Sequence, residues 1–366
     1  MGRFTKIALI SAAVLLIAGI IVAGGALASV SFDFTAVNTE NFTERYFEIN
    51  EQITAFDIDA ENFDVWLTES PDGKCYVTAP VSEYTTTQVD VKNGTLVIKR
   101  IDTRKWYEYI SIVTINPELK ILICVPGTEF ESLDISTTSG NVDIPVEFMF
   151  GTVDINTTSG DINSKAVVNT EAEFSSTSGS INIQNLNANK ASVGSTSGSI
   201  NIEVSEPQKL DVHSTSGRIY MKKVKVTQEF EIESTSGDAE LEFVVGMKMK
   251  RDSTSGDTKM ISVWMQELID INATSGDIRL IGSDAGNFKV NTTSGSVSGS
   301  ILTPKIFVTN TTSGNVNIRE AQADQSKVYG AGRFEATATS GNIDIVMANI
   351  DENLLFTDLN SITIVK

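Results

Sequence analysis

"STSGSINI" occupies residues 195–202, and "SSTSGSINI" occupies residues 175–183. The triplet Thr-Ser-Gly inside them recurs eleven times. Its glycines are Gly140, Gly160, Gly179, Gly198, Gly217, Gly237, Gly256, Gly276, Gly295, Gly314 and Gly341, at spacings of 20, 19, 19, 19, 20, 19, 20, 19, 19 and 27 residues. A catalytic group is needed once. A triplet written eleven times at a near-constant interval is architecture.

The flanks give the architecture its form. Two residues after the glycine stand Val142, Ile162, Ile181, Ile200 and Ile219, and later Ile278, Val297, Val316 and Ile343; Ala239 and Thr258 break the run. Four after come mostly Ile, Met or Leu, and five before come Ile135, Ile155, Phe174, Val193, Val212 and Ile232, with Arg251 and Thr309 as departures. Polar residues such as Asn182, Asn201 and Asn317 alternate with them. Period-two alternation of β-branched residues predicts a short strand on each side of a Thr-Ser-Gly corner. A disordered Ser/Thr/Gly stalk lacks such residues.

Two folds suit this pattern. An antiparallel meander would need about twenty-two strands in one sheet, beyond what open sheets sustain, and gives no reason for identical turns. A parallel β-solenoid of about eleven 19–20-residue coils stacks equivalent residues about 4.8 Å apart, so identical residues form ladders. The sequence therefore predicts an all-β, right-handed, β-helix-like solenoid over residues 131–350, roughly 50 Å long. At its corners glycine is expected to supply a positive φ, and Ser and Thr hydroxyls to bond nearby backbone groups. The residue three before each glycine is always Thr, Ser or Ala, as a crowded inside corner requires.

Residues 45–130 lack the triplet but are strand-rich, and "VKNGTLVI" predicts a hairpin turning at Asn93-Gly94. They are read as an N-terminal β cap over an otherwise open sheet edge, with 351–366 closing the other end. The long last spacing marks an insertion at 319–333. At the front, Arg3 and Lys6 precede the uncharged run Ile7–Ala28. That run is long enough for one transmembrane helix, with the basic stub inside and the rest exported. Residues 1–30 are thus a cytoplasmic stub and single-pass anchor, and 31–44 a spacer; cleavage as a signal peptide after Ala28 is the alternative. Both readings export the repeats.

The formal net charge of −19 argues against nucleic acid. The two cysteines, Cys75 and Cys124, are too few for a disulfide framework; they stand as free thiols or as one bridge. The single histidine, His213, leaves no Ser-His-Asp or Cys/His zinc set. The one ionisable ladder follows the glycine: Asn141, Asp161, Ser180, Ser199, Arg218, Asp238, Asp257, Asp277, Ser296, Asn315, Asn342. Nothing in it sets a base beside an electrophile, so no catalytic residue, small-molecule substrate or organic cofactor is expected. Asp238, Asp257 and Asp277 fall at one position of consecutive coils, where Ca²⁺ would relieve their repulsion.

The basic start and apolar run, then "DVKNGTLVIKR", "ILICVPGTEFESLDISTTSGNVDI" and the recurring "TSGDI" and "TSGSINI", resemble the bacterial "putative adhesin" β-strand-repeat family over about residues 45–350. The resemblance implies a β-helix-like rod on the outer face of a Gram-positive cell, and some relatives belong to envelope-stress regulatory systems. The expected function is a non-enzymatic extracytoplasmic protein, membrane-anchored, that binds a cell-wall, glycan or protein surface. The alternative is a stress-sensing ectodomain acting through a membrane partner.

Overall fold

The computed structural model describes residues 42–103, 120–301, 306–320 and 333–346. The predicted anchor at 7–28, most of the 319–333 insertion and the 351–366 cap lie outside them. Among the described residues every helix or strand element is a strand, and no helix is long and apolar enough to cross a membrane.

The chain forms two compact units. In the smaller, which includes residues 79–87 and 100–103, Thr87 Oγ1 donates to the Pro80 carbonyl (3.1 Å) and Arg100 Nη2 to Thr85 Oγ1 (3.2 Å). The larger, residues 46–78, 88–99 and 120–366, contains the repeats.

Each repeat contributes one strand before the corner and one after it. The first kind, such as Met149–Thr157, Val167–Ser176 and Lys190–Ser195, stack in one sheet, and the second kind, such as Ile162–Ser164, Ile181–Gln184 and Ile200–Ser205, stack in another. Among the described residues every repeat-to-repeat pairing is parallel, and beside the corners equivalent positions align: Ile155 lies beside Phe174, Phe174 beside Val193, and Ile181 beside Ile200. A meander would pair antiparallel, so the repeats form a β-solenoid, its eleven corners bounding ten turns. The apolar positions face inward; Ile155, Val193, Ile200, Ile219 and Ile232 are fully buried. Each such side chain contributes about 1.5–3 kcal/mol of transfer free energy.

Two of the three 20-residue coils keep the register by bulging. In the 217–237 coil the offset to the next coil changes between Val226 and Glu229, and in the 256–276 coil between Met265 and Leu268. The extra residue is thus absorbed on the return path, away from the corner.

The corners differ from the expected positive-φ turn. None of the eleven triplet glycines has a positive φ; among the described residues the glycines that do are Gly73, Gly94, Gly282 and Gly299. The requirement is proximity instead. A Cβ built on each corner glycine would lie 1.8–2.1 Å from a carbonyl oxygen of the coil below, which from Gly160 onward belongs to the preceding corner glycine. No side chain fits there. The triplet Thr and Ser side chains are exposed, and Ser340 Oγ donates to the Thr312 carbonyl (3.2 Å). The inward bond comes from the residue before the triplet: Thr157 Oγ1 accepts from Gly160 N (2.9 Å), and Ser234 Oγ donates to the Gly237 carbonyl (2.7 Å).

A second corner, six residues after the glycine, was not legible in the sequence. Asn185, Val204, Lys223, Phe243, Ser262 and Gly282 stand there in successive coils, all at φ between 49° and 61°. Only Asn and Gly adopt this left-handed conformation readily; for Val it is a steric outlier. Stacking supports it, as the Asn185 N–H donates to the Val204 carbonyl and the Phe243 N–H to the Ile261 carbonyl.

The described residues of 45–130 are strand-rich as expected, and Asn93 (φ 51°) and Gly94 (φ 81°) make the hairpin turn. Their strands also continue the solenoid. Ala55–Glu61 and Asp64–Glu69 pair in parallel beneath the first triplet coil, Ile58 beside Ile135 and Val65 beside Val142. Thr95–Asp102 and Lys120–Val125 then pair beyond them, Ile58 beside Ile98 and Val65 beside Ile121. Phe56, Phe130, Phe148 and Phe150 pack together there, with neighbouring centroids 4.8–6.3 Å apart.

Cys75 and Cys124 are buried free thiols. The two strands pair antiparallel with Tyr76 opposite Cys124, so Cys75 is one residue out of register. Alternation sends the two side chains to opposite faces, which rules out the bridge.

Two predictions test the corners. Gly198→Ala is expected to lose about 3 kcal/mol or more in urea unfolding, as overpacking against backbone does, whereas Gly127→Ala, with open space at its Cβ, stays near wild type. Val204→Asn is expected to gain about 1 kcal/mol in the same measurement, because Asn relieves the left-handed strain.

Candidate functional site

Outside the core the repeat writes rows of in-register side chains. Three rows bear on function, each named by its offset from the corner glycine.

The first row follows the glycine and contains the predicted calcium ladder. Asp238, Asp257 and Asp277 do stack in consecutive coils. Each spends one oxygen on backbone: Asp238 Oδ1 accepts from Asp257 N (2.8 Å), Asp257 Oδ1 from Asp277 N (2.8 Å) and Asp277 Oδ1 from Ser296 N (2.7 Å). Asn141 and Asn315 do the same with Asp161 N (2.9 Å) and Asn342 N (3.0 Å). Where the row supplies an acceptor, Asn serves as well as Asp, and Arg218 is the position that supplies none. Cations also neutralise this face: Arg218, Lys259 and Arg279 line the same depression, and Glu240 is paired with both Lys259 (2.6 Å) and Arg218.

The second row stands four residues before the glycine. It runs His213, Glu233, Asp252, Asn272, Asn291, Asn310 and Thr337 and forms one wall of a groove of about 670 Å³. The opposite wall is the third row, the triplet threonines from Thr215 to Thr339, and the floor is the small residues between, such as Ser234 and Thr292. Strand alternation sends both wall rows outward from one strand.

The amide wall is internally bonded. Asn272 Nδ2 donates to Asp252 Oδ1 (3.0 Å) and to Asp270 Oδ1 (3.3 Å). Asn291 Nδ2 donates to Asn272 Oδ1 (3.0 Å), Asn310 Nδ2 to Asn291 Oδ1 (2.9 Å), and Thr337 Oγ1 to Asn310 Oδ1. Such a chain holds each amide in one orientation before any ligand arrives.

At the other end the groove turns acidic. Glu231, Glu233 and Asp252 bring carboxylate oxygens within 4.8 Å of one another. Lys250 bridges Glu231 (2.5 Å) and Asp252 (2.8 Å). Burial pushes the Asp252 carboxyl up, but bonds from Lys250 and Asn272 outweigh it and hold it below the usual carboxylate range. His213 is exposed, and its imidazole lies across Gly194 of the preceding coil, where a Cβ would collide with the ring.

Arg251, a departure from the apolar pattern, is fully buried under this end. Its Nη1 donates to the Asp252 carbonyl (2.7 Å) and Nη2 to Ser234 Oγ (2.8 Å) and the Gly237 carbonyl (3.3 Å). Burial pulls its pKa down to about 10, with Asp252 and Asp238 opposing the fall, so it stays charged at neutral pH. Burial likewise pushes the Cys75 thiol up to about 11, far from a reactive thiolate.

Sequence reading found the aspartate ladder and not the groove. The signal was present as "NATSG", "NTTSG" and "NTTSG" at Asn272, Asn291 and Asn310. What it lacked was the knowledge that the residues four and two before the glycine face the same side of a concave corner.

The chain belongs to the family described as Toastrack DUF4097, whose model matches residues 53–267 and again 252–364. No curated protein matches it significantly. Among solved structures it is similar to a "putative adhesin" from Bacteroides fragilis NCTC 9343, at 16% identity over 84% of this chain and 98% of that chain, with a TM-score of 0.31. It is similar to a "putative lipid binding protein" from Parabacteroides distasonis ATCC 8503, at 18% identity over 76% and 96% of the two chains, TM-score 0.35. It is also similar to a "putative cell adhesion protein" from Clostridium sporogenes ATCC 15579, at 10% identity over 84% and 100%, TM-score 0.18.

The backbone role of the aspartate row has a direct test. Asp257→Asn is expected to keep wild-type stability, while Asp257→Ala loses about 1 kcal/mol by removing the acceptor for Asp277 N, read by thermal unfolding with and without added calcium. Equal losses in both variants, seen only with calcium present, would assign the row to the ion instead.

Proposed function

We propose that this chain is a non-enzymatic extracytoplasmic binding scaffold, held at the membrane by residues 7–28, whose solenoid presents repeated polar rows to a macromolecular surface. The observation that carries this reading is the groove spanning seven coils, walled by fixed amides and hydroxyls. A repeated row offers a polymer the same contact every coil, which adds weak contacts into avidity. Several of its acidic groups are spent on backbone N–H groups or on lysines, as Asp257 and Asp252 are. That arrangement suits recognition better than turnover.

The test is capture of the full chain, in detergent, by intact bacteria, purified wall sacculi and solubilised membranes. Saturable capture by cells or sacculi is expected. No saturable capture by any of them would overturn the proposal, and capture of one membrane protein alone would replace it with a sensing ectodomain.

A further inference from the structure

We infer that the groove between the amide row and the threonine row is a binding site for an uncharged glycan chain of several sugars, lying along the coils from Asn272 to Thr337. This rests on the reading of the chain as a binding scaffold and assigns its ligand class.

The chemistry of the walls selects the ligand. An amide offers two N–H donors and two oxygen lone pairs, and a hydroxyl offers both functions. The ladder uses one donor and one lone pair of Asn291 and one donor and one lone pair of Asn310, so each keeps one of each for a ligand. Across the groove the exposed Thr293 and Thr312 hydroxyls face solvent. The coils of Asn291 and Asn310 therefore each present a donor–acceptor set, about 4.8 Å apart, while Asn272, whose two amide N–H groups are taken by Asp252 and Asp270, adds only acceptor capacity. An extended glycan ribbon, whose rings each span about one coil thickness and carry hydroxyls on both edges, meets that repeat sugar by sugar.

Other polymers fit worse. An extended peptide repeats its side chains on one face about every 6.7 Å, out of step with the coils, and binds sheets through free backbone edges. Here the backbone is consumed: the Thr293 N–H donates to the Ala273 carbonyl, and the Thr293 carbonyl accepts from Thr312 and Ser313. Among the described residues no Phe, Tyr, Trp or aliphatic side chain lines the walls beyond the floor residue Ala273, so an apolar anchor has no pocket. Polyanions meet Glu233 and Asp252 at one end and a chain of net charge −19 around them. Because the amides are already fixed by one another, little conformational freedom is lost on binding.

The experiment is calorimetric titration of the full chain in detergent with three probes: cellohexaose, chitohexaose and hexagalacturonate. Saturable binding of at least one of the two neutral hexamers, and weaker or no binding of the uronate, is expected. Asn291→Ala and Thr293→Val are each expected to weaken that binding at least ten-fold. Thr293→Val removes only an exposed hydroxyl and keeps a β-branched residue, so it remains informative if Asn291→Ala folds poorly. Asn182→Ala, which cuts the separate amide row Asn163–Asn182–Asn201 of the other sheet, is expected to leave binding unchanged. The inference is overturned if neither neutral hexamer binds, if the uronate binds more tightly, or if Thr293→Val binds like wild type. Capture by sacculi that survives Asn291→Ala and Thr293→Val would overturn this site while leaving the scaffold reading intact.

Discussion

The contact on which this structure depends is a glycine Cα resting on the carbonyl oxygen of the glycine one coil below. It repeats from Gly140 to Gly341, and every step is too short for a Cβ. The contact sets how closely the corners approach, and with the corners the phase of both strands in every coil. Hydrogen bonds within a sheet tolerate a slip of one residue, but such a slip would turn every inward side chain outward. The corner prevents it by admitting only glycine at one position per coil. The strict spacing of the triplet, with extra residues removed to bulges such as 226–229, follows from that constraint.

Once the phase is fixed, the surface becomes a set of rows, and each row acquires a role from its neighbours. Opposite charges pair at several steps of these rows, as in Glu171–Lys190, Lys209–Glu229 and Glu231–Lys250, while Lys190 lies beside Lys209 and Asp211 beside Glu231. Exposed pairs of this kind add little stability individually. The row after the glycine supplies acceptors to backbone N–H groups, which explains why Asp, Asn and Ser occupy it. The amide row and the threonine row have no such backbone duty on their outer edges. They are the surface that the proposed ligand would meet.

The coil also bears local costs. Val204 and Phe243 hold a left-handed conformation that neither favours, and Phe243 is 52% exposed besides. Arg251 keeps a charge inside the solenoid with only neutral oxygens as bonded partners. A solenoid can carry such exceptions because the coils above and below each contribute a full set of ladder bonds, so one unfavourable residue is outvoted by its neighbours.

Much of this protein was determined by sequence alone. The triplet spacing and the alternation of Ile and Val with Asn and Asp define a parallel solenoid, its core positions and its glycine corner, because stacked identical coils must repeat identical constraints. Asn93-Gly94 likewise named its own turn. Tertiary structure decided what local patterns cannot express. The corner glycine is needed for a contact with a residue 19 or 20 positions away, not for its own φ. Strands 55–69 join the solenoid out of chain order because pairing partners are chosen in space. Cys75 and Cys124 part because one strand lies a residue out of register. The groove exists only because two outward rows converge over a concave corner, a property of the stacked coils and of no single repeat.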